Sequence, residues 1–263
     1  MDITTIIGIV VAVVGLLSGM VLKGVPLSAL WNAAALLIIL VGTAGAVLNA
    51  TPKKDITKLG SLFKLALIGR KEEDNTALIK QFVNYAQMAH VEGLLSLEDK
   101  ISKIEDPFFK WSMGWLMAGQ DADFVKQALE TEIDNIDSRH KGLAGIFSQA
   151  GSYAPTLGVL GAVVGLIAAM GFMDDTEMLA HAIAGAFMAT IYGIFTGYVL
   201  WNPFSNRLKR MNAHEIHSKR MIAEGVLLLQ QNLSPSVVED YLLSYLTTKE
   251  MVEYRENNNS GGH

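Results

Sequence analysis

The hydrophobic and charged residues of this chain are strongly segregated. Four stretches contain no Asp, Glu, Lys or Arg, and they cover Ile3–Leu22, Gly24–Pro52, Gly142–Met173 and Met178–Asn206. At about 1.5 Å per helical residue, each stretch is long enough to cross a hydrocarbon core about 30 Å thick. We therefore predict an all-α integral membrane protein with four transmembrane helices.

The charged segments between and after these stretches show the apolar spacing of helices and no strand pattern. We predict helices over Thr76–Val91, Ser96–Ile104, Phe108–Met117, from Ala122 into the third span, from the fourth span past a kink at Pro203 to Gln231, and over Pro235–Leu246. The predicted N-caps are Asp74 or Asn75, Ser96, Asp121 and Ser234. Gly93 and Pro107 are expected to end the first two helices, and residues 257–263 to be disordered.

The flanking basic residues predict the orientation of the spans. Lys53, Lys54, Lys58, Lys64, Arg139, Lys141, Arg207, Lys209 and Arg210 lie on one side, and Lys23 alone lies on the other. Basic residues favour the cytoplasmic side, so we expect both termini there. We read Ile3–Leu22 as a retained span, because no basic segment precedes it.

This orientation divides the chain into four parts. Residues 1–52 form a transmembrane hairpin, and residues 53–148 form a helical cytoplasmic insert between spans 2 and 3. Residues 149–203 form a second transmembrane hairpin, and residues 204–263 form a helical cytoplasmic tail with a disordered end. The expected location is the bacterial cytoplasmic membrane.

Composition excludes several functional classes. The net charge of −5 offers no basic field for nucleic acid. The absence of cysteine removes disulfides, thiolate nucleophiles and cysteine-based metal sites. His214 and His217 lie three residues apart on a basic, polar helix and are interpreted as surface residues. We expect no enzymatic activity, cofactor or metal.

Small residues form one face of the third span. Gly158, Gly161, Gly165 and Ala169 share that face, and Pro155 frees a backbone carbonyl beside it. Two interpretations stay open: packing against another span of the same chain, or the lining of a channel that takes a foreign helix.

Polar groups within the spans are few. Thr190 and Thr196 lie in the fourth span, where hydroxyls usually bond back to their own helix. His181 lies at the outer end of that span, and we interpret it as interfacial. The spans contain no carboxylate, although an ion-driven machine needs a titratable group at membrane depth. Either the chain transports no ions, or another subunit supplies the acid.

Three passages resemble the MotA/PomA family of flagellar stator subunits. They are Gln149–Gly161, Gly193–Phe204 and Glu92–Glu98. The resemblance implies a ring of this chain, five copies around two copies of a MotB-type partner. That partner has a single span, a proton-binding Asp and a peptidoglycan-binding domain. It also implies that ion flow turns the ring and that the insert pushes on the rotor's switch complex.

The resemblance assigns roles to individual residues. The ion path and partner contact would involve Pro155 with its neighbours Thr156, Gly158 and Ala162, together with Thr190 and Pro203. The rotor contact would involve His90 and Glu98. His90 stands where the family usually has Arg, and histidine is only partly charged near neutral pH, so Lys80, Lys100 or Lys103 is a candidate to compensate.

Ion choice follows from Ala162. Sodium-driven relatives tend to carry Thr at this position, and sodium prefers several oxygen ligands, which a methyl group does not offer. We therefore predict proton coupling. Two alternatives are an energising subunit of the ExbB/TolQ type, which would have three spans, and a non-conducting helical scaffold.

Overall fold

The computed structural model describes residues 4–70 and 73–259, and this part of the chain is helical without a strand. The α-helices are α1 (Thr4–Leu22), α2 (Ala33–Leu36), α3 (Gly42–Ala50), α4 (Lys53–Ile56), α5 (Leu59–Ile68), α6 (Asn75–Glu92), α7 (Glu98–Ser102), α8 (Pro107–Met117), α9 (Ala122–Met170), α10 (Thr176–Phe195), α11 (Asn202–Gln230), α12 (Pro235–Leu243) and α13 (Thr248–Asn259). Short 3-10 helices cover Leu27–Leu30 and Leu94–Leu97. π-helical turns cover Leu37–Val41 and Thr196–Trp201.

The predicted fold class is confirmed, because four helical stretches are long and apolar enough to cross a membrane. They lie in Thr4–Leu22, Leu27–Ala50, Ala122–Met170 and Thr176–Gln230. We refer to them as spans 1 to 4. Ile3, the predicted first residue of span 1, lies outside the described residues.

Contacts divide the described chain into two units. The membrane unit takes in the described residues of Met1–Arg70 together with His140–Met211. The second unit takes in those of Lys71–Arg139 and Asn212–His263. The boundaries of these two units do not mark where the chain enters or leaves a membrane, so the four-part division of the chain stays a prediction.

Aromatic packing joins three helices of the membrane unit. The Phe63 ring of α5 lies edge-on to Phe147 of α9 at 4.9 Å and to Phe204 of α11 at 6.1 Å. Nearby, the Ser205 hydroxyl donates to the Ala144 carbonyl at 2.8 Å. No helix was predicted over Leu59–Ile68, although its apolar residues recur at helical spacing.

The core of the second unit is built from large apolar side chains of α6, α8, α9, α11 and α12. Fully buried examples are Phe82, Phe109, Met113, Leu129, Met221 and Leu242. The Asp74 carboxylate caps α6 by accepting from the backbone N–H groups of Thr76 and Ala77, as predicted. Hydrogen bonds, first from the Thr76 hydroxyl, hold the pKa of Asp74 below its ordinary value.

The segment after α6 corrects one predicted helix. Gly93, at φ 86°, ends α6 as expected. Ser96 does not cap a helix, because it lies inside the 3-10 helix and its hydroxyl donates back to the Gly93 carbonyl at 2.7 Å. The following α-helix begins only at Glu98. Pro107 begins α8 behind the capping carboxylate of Asp106.

The end of the chain departs from prediction in three ways. Ser234 occupies the N-cap position of α12 but makes no capping bond there, and α12 ends at Leu243 rather than at Leu246. A further helix, α13, follows and reaches Asn259. The predicted disorder is therefore wrong for residues 257–259, and residues 260–263 lie outside the described part.

Candidate functional site

Spans 3 and 4 approach each other through their small residues. A methyl group on Gly158 would lie 3.0 Å from the Ala189 carbonyl oxygen. One on Gly161 would lie 2.8 Å from Cβ of Ala189, and one on Gly165 would lie 2.8 Å from Cβ of Ala186. These three glycines therefore pack against span 4 of the same chain, which was the first of the two open interpretations.

Among the glycines of span 4, Gly193 lies closest to the backbone of span 3. A methyl group there would lie 2.5 Å from the Ala154 carbonyl oxygen and 2.9 Å from Cα of Gly158. Backbone therefore meets backbone, an approach that larger residues would prevent.

Pro155 lies inside α9 and is half-buried. Because proline has no backbone N–H, it cannot donate to the carbonyl four residues earlier, that of Gly151. Gly197 of span 4 covers the Gly151 carbonyl and the proline ring. A methyl group on Gly197 would lie 2.8 Å from the Pro155 Cγ and 2.9 Å from the Gly151 oxygen. The Asn202 amide also packs on Gly151, so closely that its Oδ1 would overlap a methyl group there.

The two span 4 threonines behave differently. The Thr196 hydroxyl donates to the Tyr192 carbonyl of its own helix at 2.7 Å, the usual fate of a membrane threonine. The Thr190 hydroxyl instead points at the Gly158 carbonyl of span 3, at a long 3.5 Å. The weak hydrogen bond leaves this hydroxyl available to another partner.

The remaining predicted path residues do not converge with Pro155. Thr156 is exposed, and its hydroxyl donates to the Ser152 carbonyl at 3.1 Å. Ala162 is half-buried and Pro203 is exposed. The structure thus brings together Pro155, Gly158 and Thr190 along the span 3–span 4 contact.

Sequence reasoning missed Gly151, Gly197 and Asn202 as parts of this arrangement. One local signal was available, because Gly151 lies four residues before Pro155, where a proline frees the carbonyl. A second missed contact is made by Tyr192, whose hydroxyl donates to the Leu30 carbonyl. The contacts of Gly197, Asn202 and Tyr192 are not visible in local sequence patterns.

The candidate rotor-contact residues lie on the surface of the second unit. His90 is exposed in the last turn of α6, and Glu98 is exposed at the start of α7. Lys80, Lys100 and Lys103 are also exposed, and the Lys80 ammonium lies over the Tyr254 ring at 5.5 Å.

The histidines do not gather into a site. His181, His214 and His217 are exposed, and a ring nitrogen of His217 lies 2.8 Å from the Tyr245 carbonyl oxygen. Across the described residues, no group of three His, Cys, Asp or Glu side chains is arranged to hold a metal ion.

Comparison with known proteins places these features in a family context. Residues 100–221 match the model of the MotA/TolQ/ExbB proton channel family. The chain is 48% identical to Motility protein A of Bacillus subtilis (strain 168) over 256 residues, covering 97% of this chain and 95% of that protein. It is 30% identical to Chemotaxis protein PomA of Vibrio alginolyticus, covering 94% and 96%.

Solved structures agree with the sequence matches. The flagellar MotAB stator complex from Bacillus subtilis superposes with a TM-score of 0.90 at 47% identity, covering 96% of this chain and 99% of that chain. The C. jejuni MotAB structure superposes with a TM-score of 0.88 at 29% identity, covering 94% and 97%.

Proposed function

The chain belongs to the motility protein A family of flagellar stator subunits, and we propose on that premise how it couples ions to rotation. It is a multi-pass membrane protein that assembles with a MotB-type partner. In the proposed mechanism it supplies the walls of a proton path, the partner supplies the acid, and proton flow drives torque on the rotor.

The observation that carries this proposal is the close approach of spans 3 and 4 at a place without charged side chains. Two helices pack backbone to backbone around Pro155 and Gly158, and the charge-free spans bring no carboxylate of their own. A partner aspartate facing Pro155 would complete the site, since Thr190 and water can take part in transfer of a proton. The proposed ion path and partner contact centres on Pro155, Gly158 and Thr190, and family resemblance alone adds Thr156, Ala162 and Pro203 to it.

We propose that both termini are cytoplasmic and that several copies, five by family resemblance, surround two partner copies. The orientation is supported by nine basic flanking residues against Lys23 alone. Span 1 buries little surface within a single chain: Met20 is buried, whereas Ile7, Val11 and Leu22 are exposed. Lipid or neighbouring copies would cover these side chains.

We propose protons as the coupling ion. Ala162 is half-buried on span 3 and offers a methyl group where sodium coordination would require oxygen. Each elementary charge crossing 100 mV supplies about 2.3 kcal/mol, so several protons must pass for each revolution.

The rotor contact is proposed at the exposed segment from the last turn of α6 to the start of α7, residues 90–99, which we call the tip. Torque would pass there from the ring to the switch complex. Whole-chain likeness to Motility protein A and PomA disfavours the ExbB/TolQ alternative. The family is a motor and channel component, and no enzymatic activity is proposed.

Complementation tests the function. The chain and a MotB-type partner are expressed together in a stator-deleted, flagellated bacterium, and swimming is recorded with proton influx in buffer with and without sodium. Swimming and influx are expected in both buffers, and replacement of the partner's aspartate by Asn should abolish both. Swimming that stops without sodium while proton-motive force persists would refute proton coupling. Proton turnover by purified homo-oligomers alone would refute the division of roles.

A further inference from the structure

Two aliphatic side chains stand exposed on either side of Gly93, where α6 gives way to the 3-10 helix Leu94–Leu97. Val91 is 76% exposed and Leu95 is 77% exposed. Elsewhere in the same unit the exposed large apolar residues are better covered, with Val252 at 51% and Phe124 at 48%. Neither Val91 nor Leu95 contributes to the core, although Ala89 and Leu97 nearby are buried in it.

Val91 interrupts a polar helix face. The outward positions of α6 are Lys80, Asn84 and Gln87, all exposed, and Val91 follows them at the same helical spacing. A polar residue there would serve the fold equally well. Single exposed aliphatic residues are ordinary, but two at one tip, each more than three-quarters exposed, indicate an interaction surface.

The rim of this tip is mainly acidic. The exposed carboxylates of Glu92, Glu98 and Asp99 near the two aliphatic residues outnumber the exposed ammonium groups of Lys100 and Lys103. We propose that Val91 and Leu95 are the anchors of the rotor contact, and that their partner is a rotor protein surface with an apolar groove bordered by Lys or Arg. We build this on the proposed function, since a rotor contact exists only if the chain acts as a stator subunit.

Magnitudes favour apolar anchors over the charged residues. Burying one Val or Leu side chain strengthens binding about tenfold or more. An exposed ion pair contributes no more than about fivefold and weakens in salt. His90 carries only part of a charge near neutral pH. The charges of the tip therefore orient the partner, and the aliphatic side chains hold it.

Site-specific cross-linking tests the contact directly, because the chain has no cysteine. Val91→Cys and Leu95→Cys, each labelled with a benzophenone maleimide in the assembled stator of motile cells, should photo-cross-link to a rotor protein. Val252→Cys is the matched control, exposed in the same unit, and should give no rotor adduct. Adducts only with another copy of this chain, with the single-span partner or with lipid would overturn the inference.

Affinity separates apolar anchoring from charge pairing. The purified stator complex in nanodiscs is titrated with the cross-linked rotor protein. Val91→Ser and Leu95→Ser should each weaken binding about tenfold, Leu95→Ile should change it less than threefold, and Val252→Ser should leave it unchanged. The inference fails if His90→Ala or Glu98→Ala weakens binding more than the serine variants, or if 0.5 M salt abolishes wild-type binding.

Motility distinguishes failure of this inference from failure of the function. If the wild-type chain does not restore swimming to a stator-deleted strain, the proposed function fails. If it does, and the Val91→Ser/Leu95→Ser pair swims as well as wild type, only the anchoring role fails. Should the serine pair not assemble, the cysteine cross-links decide.

Discussion

Gly197 of span 4 lies directly against Pro155 of span 3, with only 2.8 Å between the proline Cγ and the place where a methyl group on the glycine would stand. Gly197 belongs to the π-helical turn Thr196–Trp201, and Pro155 interrupts the hydrogen bonding of α9. Two irregular segments thus meet at one level of the membrane unit. Irregular backbone at membrane depth is tolerated where protein buries it, and Gly197 is buried.

Gly197→Ala should damage this contact. The added methyl would press on the Pro155 ring and on the Gly151 carbonyl oxygen, and such overpacking costs about 1–3 kcal/mol. We expect a lower unfolding temperature of the purified stator complex and reduced proton flux. Gly45→Ala, where a methyl group meets nothing within 4 Å, is the control. Equal behaviour of the two variants would contradict the importance of the close approach.

Pro155→Ala should uncouple the motor while leaving the complex assembled. Alanine restores a backbone N–H that can donate to the Gly151 carbonyl, so the helical hydrogen bonding becomes continuous at this point. Membrane insertion and co-purification with the partner should persist, and torque on tethered cells should be lost. Wild-type motility of this variant would remove Pro155 from the mechanism.

Glu98→Lys should impair rotation and preserve ion flow. Glu98 is exposed at the start of α7, outside the membrane unit, so reversal of its charge acts on the partner surface rather than on the ion path. Swimming speed and proton influx are measured in the same cells. Loss of influx together with swimming would instead indicate misfolding of the second unit.

The sequence predicted best those features whose partners lie close along the chain. Asp74 and Asp121 accept backbone N–H groups within three residues, so the composition around each helix start identifies the cap. The four spans were also predictable, because the length that a charge-free stretch needs is set by the thickness of the bilayer and not by contacts with distant residues. The prediction of Ser96 as an N-cap was wrong, because its hydroxyl donates to the Gly93 carbonyl instead of accepting a backbone N–H at a helix start.

Contacts between distant segments were not predictable in this way. The small-residue face of span 3 was visible in the sequence, but whether span 4 or a foreign helix covers it depends on three-dimensional packing. Gly197 and Asn202 gain their roles only from lying against Pro155 and Gly151. The exposure of Val91 likewise cannot be read from its spacing, because aliphatic residues usually indicate a buried position.

The surroundings of Lys219 lead to a prediction about the stability of the second unit. Its ammonium is nearly buried, 3.8 Å from Asp106 and 3.7 Å from Glu215, and it lies over the Phe108 ring at 4.9 Å. Asp106→Ala should cost about 1–3 kcal/mol, because it removes both the α8 cap and a partner of a buried charge. Asp106→Asn keeps the cap and should cost less.

The two Asp106 variants are compared by denaturant unfolding of the purified complex, followed by tryptophan fluorescence, since Trp111 and Trp115 lie in α8. Lys219→Met is the third variant. It removes the buried ammonium but leaves the partly buried carboxylates of Asp106 and Glu215 without this cation, so it should cost more stability than Asp106→Asn. Stability close to that of wild type for Lys219→Met would show that these ion pairs contribute little to the second unit.

The C-terminal helix should loosen in acid. Thr247 and Glu250 form a reciprocal cap: the Thr247 hydroxyl and backbone N–H donate to the Glu250 carboxylate at 2.6 and 2.8 Å. These bonds, first that from the hydroxyl, lower the pKa of Glu250 below its ordinary 4.5. A lowered pKa stabilises the ionised, folded form, so the contribution is complete at neutral pH and is lost as the pH falls below 4.5.

Hydrogen exchange of the α13 amides, expressed as protection factors from pH 7 to about pH 2.5, measures this effect. Protection in wild type should fall as Glu250 becomes protonated. Glu250→Gln keeps a capping side chain without a titratable group, so its protection should be lower at pH 7 and should depend less on pH. Thr247→Ala should reduce protection by about 1 kcal/mol at pH 7. Protection of α13 that stays constant in wild type down to about pH 2.5 would show that this cap does not control the helix.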